Sequence, residues 1–174
     1  MDKVEILKVK IKKAFKDVEF PHHCGIRAAI AMDDWISDPS TLREITSTKD
    51  IKAQWWEIPG EEFNLISLAF CYFDSVNTEF YLPAYMVYVL ENLSYANCNC
   101  LITWLTPREN DEECAFYDMF LENFSKIKAS KKSACIEIIK YINENLPAND
   151  CNLINDIQKL LESEFWKESA DIKS

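Results

Sequence analysis

The stretch EFYLPAYMVYVLENL, residues 79–93, decides how this chain folds. Pro83 fixes its own φ angle and has no N–H group, so it is tolerated best in the first turn of a helix. The same ring biases Leu82, the residue before it, towards an extended conformation. The stretch therefore predicts an extended segment that ends at Leu82, followed by a buried helix with Pro83 in its first turn. Residues 74–78 are then a turn that leads into this helix.

Tyrosines mark one side of the predicted helix. Five residues follow one another at alternating spacings of four and three, which is the period of one helical stripe: Tyr81, Tyr85, Tyr88, Asn92 and Tyr95. Tyrosines on such a stripe are more often buried with a hydroxyl partner, and less often form an aromatic interface. Tyr81, Tyr85 and Tyr88 are accordingly candidate partner-binding residues.

Composition favours one helical domain over residues 1–174. The chain has 174 residues, 48% of them hydrophobic, and only two glycines. A chain of this length buries a core large enough to need no disulfide, and the scarcity of glycine disfavours a sheet built on tight turns. We expect an all-α fold of about seven helices packed around a central buried helix.

Cysteine usage and hydropathy predict a cytoplasmic protein. The seven cysteines are odd in number and scattered, and several lie in apolar periodic segments, which is typical of free thiols in a reducing compartment. The first residues are lysine-rich and amphipathic, so we expect no secretory signal. No apolar run approaches the roughly 18 residues of a membrane helix.

Two short elements carry a resemblance to a known family. Trp55-Trp56-Glu57-Ile58-Pro59 is followed by Tyr-Leu-Pro-Ala-Tyr-Met at residues 81–86. These segments resemble the Trp-x-x-Ile-Pro and Tyr-Leu-Pro-Ala-(Tyr/Phe)-Met elements of a bacterial family of small proteins of unknown function, over about residues 51–146. The resemblance implies a shared fold and a bacterial cytoplasmic setting, and it implies no reaction.

The remaining segments follow helical and turn signals. Two adjacent tryptophans point in different directions, so we expect one of Trp55 and Trp56 in the core and the other at the surface. Residues 65–73 fit a helix or a buried strand, residues 97–100 a break, and residues 101–105 a strand-like or single-turn element. Amphipathic helices are predicted over residues 2–17, 26–36, 40–45, 109–124, 130–146 and 150–165. Trp35 is placed on the apolar face of the second helix, and a polar loop at 46–50 follows the third. Ser130 and Asp150 are the predicted N-caps of the last two helices.

Negative charge is concentrated in the middle of the sequence. The net charge is −10, and residues 57–124 contain twelve acids against the single base Arg108, which makes that segment −11. Such a block repels phosphates, so we expect no nucleic-acid partner and infer a basic protein partner instead. Ordinary solubilisation is the alternative. The candidate contact residues lie in and after the acidic run and are Asp111, Glu112, Glu113, Asp118 and Glu122.

One cluster suits an alternative, catalytic or metal-binding role. His22, His23 and Cys24 are adjacent and include both histidines of the chain. Their spacing matches no zinc signature, and a Cys–His nucleophile would need a further orienting group. Gly25 and Gly60 stand apart, so there is no glycine-rich phosphate loop. We expect no cofactor.

These patterns rank three functions. The first is a non-enzymatic bacterial protein-binding module, for instance an immunity or antitoxin protein, that offers an acidic surface to a basic partner. The second is a small enzyme or metal-binding protein with its site near His22, His23 and Cys24. The third is a homo-oligomeric structural protein held together by the tyrosine stripe.

Overall fold

The predicted all-α class is confirmed by a computed structural model that describes residues 2–107, 115–146 and 151–167. In those ranges every regular element is helical, with ten α-helices where about seven were predicted. Three short 3₁₀ turns, Trp55–Glu57, Gly60–Leu65 and Phe70–Tyr72, join them. The α-helices are α1 Lys3–Ala14, α2 Ile26–Asp33, α3 Pro39–Lys49, α4 Ile66–Ala69, α5 Ser75–Glu91, α6 Tyr95–Leu105, α7 Ala115–Phe124, α8 Ala129–Asn145, α9 Cys151–Glu162 and α10 Glu164–Lys167.

Helix α5 is the central element, as predicted, and α1, α6, α7 and α8 pack against it. It starts eight residues before Pro83, so the predicted extended segment ending at Leu82 and the turn at 74–78 are wrong. The reason is the Asp74 carboxylate, whose Oδ1 accepts the N–H groups of Val76 and Asn77 at 3.0 Å each. Capping and burial of the whole helix outweigh the roughly 3 kcal/mol that an interior proline costs.

The tyrosine stripe is shorter than predicted, because α5 ends at Glu91 and Tyr95 begins the next helix. Tyr81 and Tyr85 are buried, and the Tyr85 hydroxyl donates to the carbonyl of Asn97 at 3.3 Å. Burial raises the pKa of both phenols. Tyr88 is half-buried. In this fold Tyr81 and Tyr85 are core residues, so their side chains are not accessible to a partner.

The two adjacent tryptophans divide between core and surface, as predicted. Trp55 is 1% exposed and its indole N–H donates to the Phe15 carbonyl at 3.0 Å. Trp56 is 37% exposed. This arrangement ties the 55–57 turn to the end of α1.

Residues 97–105 differ most clearly from their prediction. They belong to α6, and neither a break at 97–100 nor a strand-like element is present. Ser94 accepts the N–H of Asn97 at 3.3 Å, which starts the helix, while Cys98, Leu101 and Leu105 face the core at helical spacing. Residues 60–72 are helical, but they are divided into α4 and its flanking 3₁₀ turns, and Phe73 is extended.

Other boundaries moved by a few residues. α1 ends at Ala14, and α8 starts at Ala129 with Lys128 in the N-cap position where Ser130 was predicted. The last predicted helix is divided into α9 and α10, and its predicted cap Asp150 lies outside the described residues. Among the described residues, no helix has the combined length and apolar character of a membrane span.

Candidate functional site

Ion pairs within the fold neutralise part of the predicted acidic surface. Three carboxylates of the 57–124 block form ion pairs with bases from outside it: Glu62 with Arg27, Glu79 with Lys131 at 2.8 Å, and Glu91 with Lys8 at 2.7 Å. A fourth, Asp74, has its Oδ2 atom 2.7 Å from His23 Nε2. Sequence order cannot show this, because each partner lies tens of residues away. The exposed negative charge is therefore smaller than the composition of the block suggests.

The predicted partner residues on α7 are exposed. Asp118 and Glu122 lie one helical turn apart on the surface. Asp111, Glu112 and Glu113 lie outside the described residues. Of the five predicted carboxylates, the structure therefore describes two, and both are exposed on α7.

The alternative site at His22, His23 and Cys24 is taken up by structural contacts. The His23 Nε2 atom lies 2.7 Å from Asp74 Oδ2, in the group that caps α5, and His22 packs edge-on against Phe20 with ring centroids 5.3 Å apart. Cys24 is buried, and burial raises the pKa of its thiol to about 11. A thiol with such a pKa carries almost no thiolate at neutral pH, so it is a poor nucleophile. In the described ranges no three His, Cys, Asp or Glu side chains are grouped to hold a metal ion.

A helical hairpin, made of α2, the loop 34–38 and α3, has the features of a binding surface. Its base is clamped by hydrogen bonds between its two ends. The N–H of Gly25 donates to Thr46 Oγ1 at 2.8 Å, and the N–H of Arg27 donates to Asp50 Oδ1 at 2.9 Å. Asp50 therefore caps α2 from a distant part of the chain. The predicted polar loop at 46–50 is wrong, because α3 continues to Lys49 and Thr46 is buried.

Close packing at the clamp restricts position 25 to glycine. A Cβ atom on Gly25 would lie 2.2 Å from Asp50 Oδ2, far inside van der Waals contact. The Asp50 side chain is 2% exposed, and burial raises the pKa of its carboxyl group. Arg27 adds a bidentate ion pair with Glu62, which ties the hairpin to the rest of the fold. The base of the hairpin is thus rigid.

Trp35 lies at the opposite end of the hairpin, its tip. The N–H of Trp35 donates to the Met32 carbonyl and that of Ile36 to the Ala31 carbonyl, at 3.1 Å each, which ends α2 in a Schellman motif. The motif places Trp35 at φ 64°, in the left-handed region where glycine is the preferred residue. Its side chain is 93% exposed. The predicted place of Trp35 on an apolar helix face is wrong, since α2 ends at Asp33.

Three aspartates surround Trp35 in sequence. Residues 33–38 read DDWISD and contain no base, so the tip carries three negative charges. Asp33 Oδ1 accepts the Tyr72 hydroxyl at 2.5 Å, and Asp38 Oδ2 accepts the N–H of Thr41 at 2.8 Å, which caps α3. Hydrogen bonds from Ser40 and Thr41 lower the pKa of Asp38 to about 2, so this carboxylate is ionised over the whole physiological range.

Comparison with known proteins identifies a family and no activity. A family model described as "Family of unknown function (DUF6714)" matches residues 2–170, which is more of the chain than the predicted 51–146. Neither the curated proteins nor the solved structures that were compared with the chain contain a match.

Proposed function

The chain belongs to the DUF6714 family of unknown function, and we propose that it is a non-enzymatic protein-binding module that docks a basic protein through the hairpin tip. The tip is defined as residues 33–38, with Trp35 as the apolar contact and Asp33, Asp34 and Asp38 as the charged ones. The proposal retains the acidic surface and the basic partner predicted from composition. It places the contact surface at the α2–α3 loop, where the sequence had placed it at α7.

The observation that carries the proposal is the conformation and exposure of Trp35. A left-handed conformation costs a residue with a Cβ atom about 1–2 kcal/mol. A side chain that is 93% exposed recovers almost none of this through packing. Folding alone therefore gives no reason for tryptophan at this position. Tryptophan is enriched among the residues that dominate protein interfaces, where burial against a partner supplies the missing contacts.

Charge around Trp35 indicates the chemistry of the partner. The tip carries three carboxylates and no base. A tryptophan face attracts an arginine or lysine side chain through its ring quadrupole, and neighbouring carboxylates add charge-assisted hydrogen bonds. Opposite net charge also steers the encounter. An immunity or antitoxin role is one concrete form of this function, because it requires a small acidic protein that neutralises a basic effector.

The rigid base favours tight docking. The two clamp hydrogen bonds at 2.8 and 2.9 Å and the Arg27–Glu62 pair hold both helices of the hairpin before any partner arrives. A surface that is already ordered loses less conformational entropy on binding. The tip thus resembles a preformed loop on a rigid scaffold.

The test is site-specific capture followed by measured affinity. A photoreactive phenylalanine derivative at position 35 is crosslinked in cells of the native host, with position 56 as the control site. The captured protein is then purified and titrated at low and high salt against Trp35→Ala, Asp34→Lys and, as the matched charge control on α7, Asp118→Lys. We expect a basic partner whose binding weakens in high salt and in the first two variants only.

Three outcomes would overturn the proposal. They are a partner that ignores salt and Asp34→Lys, a partner lost in Asp118→Lys but retained in Trp35→Ala, and equal capture from positions 35 and 56. Capture of a second copy of the chain would instead indicate self-association through the tip, because Lys13, Lys16 and Lys128 are exposed beside one groove near the end of α1 and the start of α8. Such an oligomer differs from the predicted one, which the tyrosine stripe holds together. Sedimentation of the purified protein with and without Trp35→Ala separates that case.

A further inference from the structure

The two sequence elements that carried the family resemblance meet at a groove that the hairpin tip does not use. The groove has a volume of about 470 Å³ and is bounded by α1, residues 55–60 and α5. A volume in this range suits a small molecule. The groove lies on different elements from the α2–α3 loop, so it needs a separate explanation.

The floor of the groove is apolar and aromatic. Its lining includes Ile58, Phe63, Ala84, Val87 and Tyr88. The rings of Phe63 and Tyr88 lie 5.0 Å apart, and Tyr88 is only half-buried. Aromatic ligands pack against such rings in offset or edge-to-face arrangements.

The rim carries one positive charge that no carboxylate neutralises. Lys8 is paired with Glu91 at 2.7 Å and with Glu5 at 2.9 Å. The Lys12 ammonium lies 4.3 Å from the centre of the Trp56 ring. Among the described residues no acid lies within ion-pairing distance of Lys12. Of the two lysines that line the groove, Lys12 is therefore the one without an acidic partner in the described part of the chain.

We propose that this groove binds a small aromatic monocarboxylate. The ring lies on the floor formed by Val87 and Tyr88, and the carboxylate pairs with Lys12. The Trp56 ring holds the Lys12 ammonium in place, so little side-chain freedom is lost on binding. The single unmatched charge at the rim selects a monoanion, and the floor selects its apolar body.

The test uses indole-3-acetate as the probe and indole-3-acetamide as its neutral analogue of the same shape, titrated by calorimetry and by ligand-observed NMR. We expect the acid to bind roughly tenfold more tightly than the amide. Lys12→Gln should abolish this difference without changing amide binding. Lys13→Gln, which removes a neighbouring charge outside the groove, should leave both affinities unchanged.

A steric variant tests the position of the ring. A Cβ atom on Gly60 would lie 3.6 Å from the Tyr88 ring, an ordinary contact, so Gly60→Leu should fold and its side chain should fill the groove. We expect it to lose binding of both probes, and Val87→Trp serves as a second blocking variant if the first fails to fold. The proposal is overturned if acid and amide bind equally, if Lys13→Gln matters as much as Lys12→Gln, if neither probe binds, or if Gly60→Leu instead abolishes a dimer formed through this groove.

Discussion

Replacing Trp35 by glycine should stabilise the isolated protein. Relief of the left-handed backbone at φ 64° is worth about 1–2 kcal/mol. Glycine also gains freedom in the unfolded chain, which costs about 0.5–1 kcal/mol. The indole is 93% exposed, so its removal subtracts little. The unfolding free energy should therefore rise by about 0.5–1 kcal/mol, and the melting temperature by about 2 °C for a chain of this size.

Trp35→Ala is the matched control. Alanine keeps the Cβ atom and hence the backbone strain, and it removes the same exposed ring, so its unfolding free energy should stay within about 0.5 kcal/mol of the parent value. The assay is urea denaturation followed by far-UV circular dichroism, with the slope of the transition compared between variants to check that the unfolded state is unchanged.

One result would refute the reasoning about Trp35. If both variants destabilise the protein by more than about 1 kcal/mol, the indole contributes to folding and its presence at the tip needs no partner. If glycine stabilises while alanine is neutral, and both lose the captured partner, the residue is unfavourable for folding and required for binding. That combination is the signature expected of a functional residue.

Three further predictions concern the clamp and the core. Gly25→Ala should destabilise the fold by about 1–3 kcal/mol, because the added Cβ atom would lie 2.2 Å from Asp50 Oδ2. Gly60→Ala should change stability by less than about 0.5 kcal/mol, because a Cβ atom there would lie 3.6 Å from the Tyr88 ring. Equal effects of the two variants in chemical denaturation would contradict the clamp. Burial raises the pKa of Asp50, so the stability it contributes as a neutral acid is complete below about pH 3.9 and is lost as pH rises through the raised value. Asp50→Asn should remove this loss, because asparagine does not ionise. The unfolding free energy of the variant, measured relative to the parent, should therefore increase as the pH rises. A relative unfolding free energy that does not change with pH would show that the Asp50 carboxyl titrates normally. Trp55→Phe should cost about 2 kcal/mol, because it leaves a void and removes the indole N–H bond to the Phe15 carbonyl, while Trp56→Phe should be nearly neutral. The reverse order in thermal melts would contradict the assignment of the buried indole.

Ion pairing also affects how the net charge of −10 should be interpreted. Glu62, Glu79 and Glu91 count as negative in the composition, but each is matched by a base from another part of the chain. The hairpin tip carries three carboxylates in six residues without a base. The docking site proposed for a basic partner therefore rests on local charge at the surface and not on the average over a long segment.

Local patterns were sufficient for the class of the fold and for many of its helices. The all-α class and the central position of α5 follow from apolar spacing, because a helix that buries one face must repeat its apolar residues every three to four positions. The division between Trp55 and Trp56 follows from the different directions in which adjacent side chains point. The same reasoning failed at Pro83 and at residues 97–105, where a local penalty was outweighed by capping from Asp74 and Ser94 and by burial in the assembled core.

The candidate sites depended on contacts that no local pattern contains. Asp50 caps α2 across the hairpin, and Lys8 and Lys12 reach the groove rim only because α1 packs beside α5. The sequence by itself determined the helical class and the supply of aromatic and acidic residues. The tertiary structure alone decided which carboxylates stay unpaired, which tryptophan reaches solvent and at what backbone angle, because burial and ion pairing join residues that are far apart in the chain.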